Sequence, residues 1–294
     1  MPKSNINYPA IQRRVVFAYI LICLFMWAFQ RNLIYVPTKH IAAPEAYGLN
    51  DFESLRLTSE DGTHVLAWYH KASDGYPTII YYHGNGGNLA GRKNYFRQLA
   101  DAGFGVLGLD YRGYGTSEGS PTEMGLYQDA RATMDYAIKT LSLARNQIII
   151  YGESLGTGVA VEIASEYRSG GLILQSPFTS MEEVAKYTYP WLPVHCLLKD
   201  RFDSIVKIAN VHVPLLLFHG QRDKVVPIEE GKTLFDYASK PKEAIYYPKN
   251  GHEDFDTQIL TDALVAFCNK YNLIHAISEE IPLQKEQSRS ISNE

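Results

Sequence analysis

Cysteine is scarce in this chain: three in 294 residues, Cys23, Cys196 and Cys268. Three distant thiols make neither a disulfide framework nor a C-x-x-C metal pair, so the fold must rest on its core, and no metal or cofactor is implied. Cys23 falls in an apolar run, and the other two read as small buried hydrophobes. An excess of basic charge is also missing, with 28 Lys and Arg against 32 Asp and Glu and no basic patch. That balance argues against a nucleic-acid surface. No internal repeat appears, and there is no phosphate loop: the glycine-rich stretch from Asp110 to Gly119 lacks the G-K-[ST] ending that holds phosphate and magnesium. It reads as a wide turn beside a cleft, with Asp110 and Arg112 as a local ion pair.

What the chain does have is alternation. Short β-branched or apolar runs, Thr78–Tyr82, Gly105–Leu109, Ile148–Tyr151, Val213–Gly220 and Glu243–Tyr247, are separated by stretches of helical length and spacing. Those stretches are 92–102, 123–142, 157–168, 229–238 and 257–271. Strands alternating with helices predict an α/β fold, a mostly parallel central sheet covered on both faces. Segments 51–58 and 65–71 have no helix between them, and Asp61-Gly62 makes a turn, so they predict an antiparallel hairpin at the sheet's edge.

Gly152-Glu153-Ser154-Leu155-Gly156 lies between the run Ile148–Tyr151 and a small-residue helical start. A G-x-S-x-G sequence in a strand–turn–helix setting is a nucleophile elbow. The turn strains the serine backbone, and the flanking glycines give clearance for strand and helix to approach. Ser154 is the predicted nucleophile. His83-Gly84-Asn85-Gly86-Gly87-Asn88 follows a predicted buried strand, where a glycine-rich loop can aim N–H groups at an oxyanion. Asn85 and Leu155 are the predicted N–H donors, and His83 is expected to brace the loop.

Asp223 follows the strand ending in His219-Gly220, and His252 lies on a glycine-containing loop after the last strand candidate. The order Ser154, Asp223, His252 is that of α/β-hydrolases and differs from those of chymotrypsin and subtilisin. Other histidines lack that placement. Glu253, Asp254 and Asp203 are rival acids, but Glu253 and Asp254 are too near His252 in sequence to reach its ring from the correct side.

On these residues the chain resembles the α/β-hydrolase superfamily, and within it the Bem46-like branch of ABHD12-, ABHD13- and ABHD17-type serine hydrolases. The resemblance runs from about Leu33 to Tyr271 and also includes Ser176-Pro177-Phe178. It implies an acyl ester or thioester substrate, lysophospholipids and acylated proteins among them, hydrolysed through an acyl-enzyme. Related sequences are also grouped with serine aminopeptidases, an association at the level of fold. A peptidase would need acids for a free amino group, for which Glu153, Glu182 and Glu183 are available. The rival from another class is a catalytically idle binding protein, which has no requirement for a complete triad.

Every residue from Val15 to Phe29 is apolar, with Arg13-Arg14 before and Arg31 after. As a helix this run spans about 22 Å, short of a hydrocarbon core of roughly 30 Å. Extension to Val36 reaches about 33 Å if Arg31 snorkels, and Pro37 would end it. No small-x-small cleavage site follows, so 15–36 is expected to be an uncleaved transmembrane signal anchor. Lys3, Arg13 and Arg14 predict that 1–14 is cytoplasmic and the hydrolase domain lies across the membrane, in the periplasm if the source is bacterial. The domain is expected over 37–277, and the polar segment 278–294 as a disordered tail. Within the domain, 178–213 is the place for a short lid or packed crossover. Its Tyr187, Trp191 and Leu197 are expected to wall an acyl site beside Ser154.

Overall fold

The computed structural model describes residues 8–275, so the predicted tail lies outside the described residues. The expected hairpin forms as β2 (Glu53–Thr58) and β3 (His64–His70), antiparallel in the register Thr58↔His64. Asp61-Gly62 turns it: Gly62 sits at φ +83°, and the Asp61 carboxylate accepts the Thr63 N–H at 3.1 Å. Strands β4 (Thr78–Tyr82), β6 (Gly105–Asp110), β7 (Ile148–Glu153), β8 (Gly171–Gln175), β9 (Leu215–Gly220) and β10 (Lys242–Tyr247) complete the sheet. Its order is β10-β9-β8-β7-β4-β6-β3-β2, parallel from β10 to β6 and antiparallel thereafter.

Both faces are covered, which explains why the central strands are apolar without a break. Side chains alternate between two cores: Ile79, Tyr81, Ile149 and Tyr151 enter one, and Ile80, Tyr82, Ile148 and Ile150 the other. The first is closed by α2 (Lys93–Asp101) and α8 (Thr257–Lys270). The second is closed by α3 (Glu123–Asp135), α4 (Leu155–Glu166) and α7 (Ile228–Tyr237). Helix α3 runs into one π turn, Tyr136–Thr140, short of the expected Ser142.

The N-terminal helix α1 spans Tyr8–Ile34, so it begins earlier and ends sooner than expected, with Arg13 and Arg14 inside it. Its stretch Ile11–Ile34 is long and apolar enough to cross a membrane. Val36 is not helical. It belongs with Pro37 to strand β1, paired in parallel with β5 (Gly86–Gly87). Proline disfavours a helical residue before it, and the loop after β4 offers acceptors: Val36 N–H donates to Asn85 O at 3.0 Å and Thr38 N–H to Gly87 O at 2.8 Å.

The segment between β8 and β9, the place expected for a lid or crossover and termed the lid, carries two short helices, α5 (Met181–Thr188) and α6 (Val194–Leu197). Of the three cysteines only Cys268 is buried. Cys196 is exposed, contrary to expectation, because the single turn of α6 directs Val194 inward instead.

Candidate active site

Ser154 lies between β7 and α4 with φ +50° and ψ −117°, the strained backbone of a nucleophile elbow. A Cβ on Gly156 would stand 2.0 Å from Tyr82 O, and one on Gly152 would stand 2.5 Å from Gly156 O. The two glycines therefore permit the approach that aims the hydroxyl out of the sheet.

Ser154 Oγ is 2.7 Å from His252 Nε2, and His252 Nδ1 is 2.7 Å from Asp223 Oδ2. An ionised Asp223 can only accept, so Nδ1 carries the proton and Nε2 is free to take one from Ser154. The acid is well held: its Oδ1 accepts the N–H groups of Val225 and Val226, each at 2.8 Å. The base loop reaches it because position 220 is glycine, where a Cβ would stand 2.2 Å from Gly251 O. Two of the rival acids are otherwise engaged. Asp254 accepts the Gly251 N–H at 2.6 Å and shapes the loop, and Asp203 pairs with Arg201 at 3.2 Å.

Burial pushes the Asp223 carboxyl up, but hydrogen bonds from His219 and His252 and the Val226 N–H outweigh it and hold it well below the ordinary carboxylate range. A depressed folded-state value stabilises the fold above the unfolded value and loses that effect as pH falls through the folded one. The melting-temperature gap between wild type and Asp223→Asn, followed from pH 8 to 2, is thus expected to persist at pH 5. It should shrink only below about pH 4, as read by thermal melts across that range.

The loop after β4 passes over the nucleophile, where a Cβ on Gly84 would stand 3.4 Å from Ser154 Cβ. Asn85 and Leu155 both face the cleft beside Ser154. Among the described hydrogen bonds neither donates its N–H, while Asn85 O accepts from Val36 N–H and, at 2.8 Å, from Tyr114 O–H. His83 braces the loop: its Nδ1 is 2.7 Å from Gly84 O, and its Nε2 lies 3.2 Å from Asp110. His219 is likewise internal, with Nε2 donating to Val226 O at 2.9 Å.

Arg92, which the sequence did not single out, ties this loop to the elbow. Its guanidinium donates to Gly86 O at 2.8 Å and to both carboxylate oxygens of Glu153, at 2.8 and 3.1 Å. Tyr81 O–H donates to the same carboxylate at 2.7 Å. Burial raises the Glu153 carboxyl, but the Arg92 charge prevails and keeps it below its usual value. Arg92→Ala would leave Glu153 buried without its cation, at a cost of about 3–5 kcal/mol. The double variant Arg92→Ala/Glu153→Gln is expected to regain most of that loss in urea denaturation.

Several expectations need correcting. Asp110 and Arg112 do not pair: Arg112 binds Asp61 at 2.7 Å and buried Asp129 at 2.8 Å, while Asp110 accepts the Leu89 N–H at 3.0 Å. Tyr187 and Trp191 are each more than half exposed, and neither they nor Leu197 line the cleft over Ser154. That cleft, about 190 Å³, is walled by Met181, Val184, Ala185 and Tyr189 of the lid and, unexpectedly, by Leu33 and Ile34 of α1. The acids available for a free amino group are taken. Glu153 is held as above, Glu182 by Lys186 and Arg201, and Glu183 by Lys186.

The model of the serine aminopeptidase family S33 matches residues 76–205. An uncharacterised protein of Mycobacterium tuberculosis is 36% identical, the alignment covering 84% of this chain and 89% of that one. The lysophosphatidylserine lipase ABHD12 of Danio rerio is 30% identical over 83% of this chain and 69% of its own. Among solved structures, the Pyrococcus furiosus esterase Pf2001 superposes with a TM-score of 0.67 at 18% identity, covering 81% of this chain and 98% of the esterase.

Proposed function

The chain belongs to the α/β-hydrolase superfamily, and from that membership we propose a membrane-anchored serine hydrolase that cleaves carboxylic ester or thioester bonds of acyl, lipid-like substrates. The observation that carries the reading is the continuous relay Ser154 Oγ, His252, Asp223, with both contacts at 2.7 Å, opening into an apolar cleft. His252 takes the Ser154 proton as Oγ attacks the acyl carbonyl, and Asp223 steadies the imidazolium. The Asn85 and Leu155 N–H groups stabilise the tetrahedral oxyanion. Collapse releases the alcohol or thiol, protonated by His252, and water activated by the same imidazole then hydrolyses the acyl-enzyme.

Esters are favoured over peptides because Glu153, Glu182 and Glu183 are ion-paired and so are not free to receive an amino terminus. The lipase name of the zebrafish relative points in the same direction. Helix α1 serves as the anchor, and the positive charges of Lys3, Arg13 and Arg14 favour a cytoplasmic N-terminus with the hydrolase domain on the far side of the membrane, periplasmic in a bacterium.

The test is labelling of membrane-bound protein with a fluorophosphonate, competed by short and long acyl esters. Wild type is expected to label and Ser154→Ala not to. Folded wild type that stays unlabelled would return the chain to an idle scaffold.

A further inference from the structure

Next to the cleft over Ser154 lies a second apolar cavity of about 60 Å³, between α1 and the lid, with Met26 and Leu192 in its lining. Leu33, Ile34, Ala185, Tyr189 and Leu198 line both spaces, so the two lie side by side along the groove between α1 and the lid. One wall is helix α1 and the other is the lid.

The lid is fastened along that helix. Buried Gln30 donates to Leu197 O at 2.9 Å and accepts the Lys199 N–H at 2.7 Å. Arg31 makes a forked pair with Asp200 at 2.8 and 3.0 Å. Further toward the N-terminus, Tyr19 O–H donates to Trp191 O at 2.9 Å, and the Lys199 ammonium stands 3.7 Å from the Trp27 ring centroid. From Arg31 to Tyr19 is about 18 Å of helix rise. If Ile11–Ile34 crosses a bilayer, Tyr19 stands near the middle of the span, so the lid tip with exposed Trp191 descends beside the helix into the leaflet.

We propose that this groove takes the acyl chain of a single-chain bilayer lipid, with the ester carbonyl at Ser154 and the chain running between α1 and the lid into the leaflet. The proposal rests on the reading of Ser154 as nucleophile and α1 as anchor. The cleft is smaller than the roughly 300–1,000 Å³ of pockets that enclose a drug-sized ligand. A long chain therefore extends past it into the adjoining cavity, whose lining includes Met26 and Gln30 of α1. A chain drawn from lipid into the groove exchanges one apolar surrounding for another, so transfer from water supplies little affinity. The groove acts by aligning the carbonyl, and misplacement of about 1 Å at a reacting centre costs as much as 100-fold.

The experiment uses the full chain in phosphatidylcholine vesicles, with C4 and C16 monoacyl esters and two plugging variants, Met26→Trp and Ala185→Phe. The C16-to-C4 ratio of kcat/KM is expected to fall at least about tenfold in both. In parallel, a palmitoyl lysophospholipid with a chain-end diazirine is photolysed with Ser154→Ala protein, and adducts are expected within 19–34 and 185–198. A wild-type ratio in both variants, with fluorophosphonate labelling retained, overturns the proposal, as do adducts confined to other segments. Adducts in the groove from a protein that hydrolyses neither ester would sink the catalytic reading while leaving the groove as a lipid site.

Discussion

Ser154→Ala is expected to lower kcat/KM on a soluble short-chain ester by about 10⁶, to the level that binding and the oxyanion donors alone sustain. The loss is large because, among the described hydrogen bonds, Ser154 Oγ is the one hydroxyl at His252 Nε2, 2.7 Å away. It should come without unfolding. The bonds that fix the elbow are made by the backbone: Ser154 N–H donates to Gln175 O at 2.9 Å, and Ser154 O accepts from Thr157 N–H at 2.8 Å and Thr157 O–H at 2.6 Å. Alanine keeps the Cβ, and with it the φ of +50° and its strain. Unchanged thermal stability beside a million-fold loss of turnover would assign the hydroxyl to chemistry. A residual rate within 100-fold of wild type would place the nucleophile elsewhere.

The grouping of Ser154, Asp223 and His252 could be read from the sequence because each stands at the end of a strand, and the order of strands in the chain restricts where those ends meet. Ser154, Asp223 and His252 follow β7, β9 and β10, which lie on one side of the parallel sheet with only β8 between β7 and β9. The walls of the cleft could not be read that way. Tyr187 and Trp191 attracted attention by size, but on a helix phase decides. At 100° per residue, Met181, Val184, Ala185 and Thr188 share one face, and Tyr187 points about 110° from its centre. Leu33 and Ile34 were hidden for another reason: they belong to a helix whose composition already had an explanation in the membrane. Arg92 and Arg112 have partners across the fold, Glu153 and Asp129, and such pairs leave no local pattern.

Asp223→Asn is expected to lower kcat by about 10⁴ with little change in KM, and the hydrogen bonds around the acid say how. Oδ1 faces two donors, the N–H groups of Val225 and Val226 at 2.8 Å each. An asparagine must therefore place its carbonyl oxygen there, because an amide NH₂ in that position would set donors against donors. Its NH₂ then faces His252 Nδ1 at the position where Oδ2 now stands 2.7 Å away. Since the NH₂ only donates, Nδ1 must be the acceptor, and the imidazole proton moves to Nε2. There it points at Ser154 Oγ, and the ring can no longer take the hydroxyl proton. His219 offers the amide no acceptor either, because the Nε2 that stands 3.5 Å from Oδ2 carries a proton, which it also donates to Val226 O at 2.9 Å. The shape of the site is kept and the tautomer is wrong, so substrate still binds while acylation stalls. Steady-state kinetics on a soluble ester measure this directly, with Asp254→Asn as the comparison, since that residue needs only an acceptor for the Gly251 N–H. A loss below tenfold in Asp223→Asn, or a larger one in Asp254→Asn, would move the role of the acid away from Asp223.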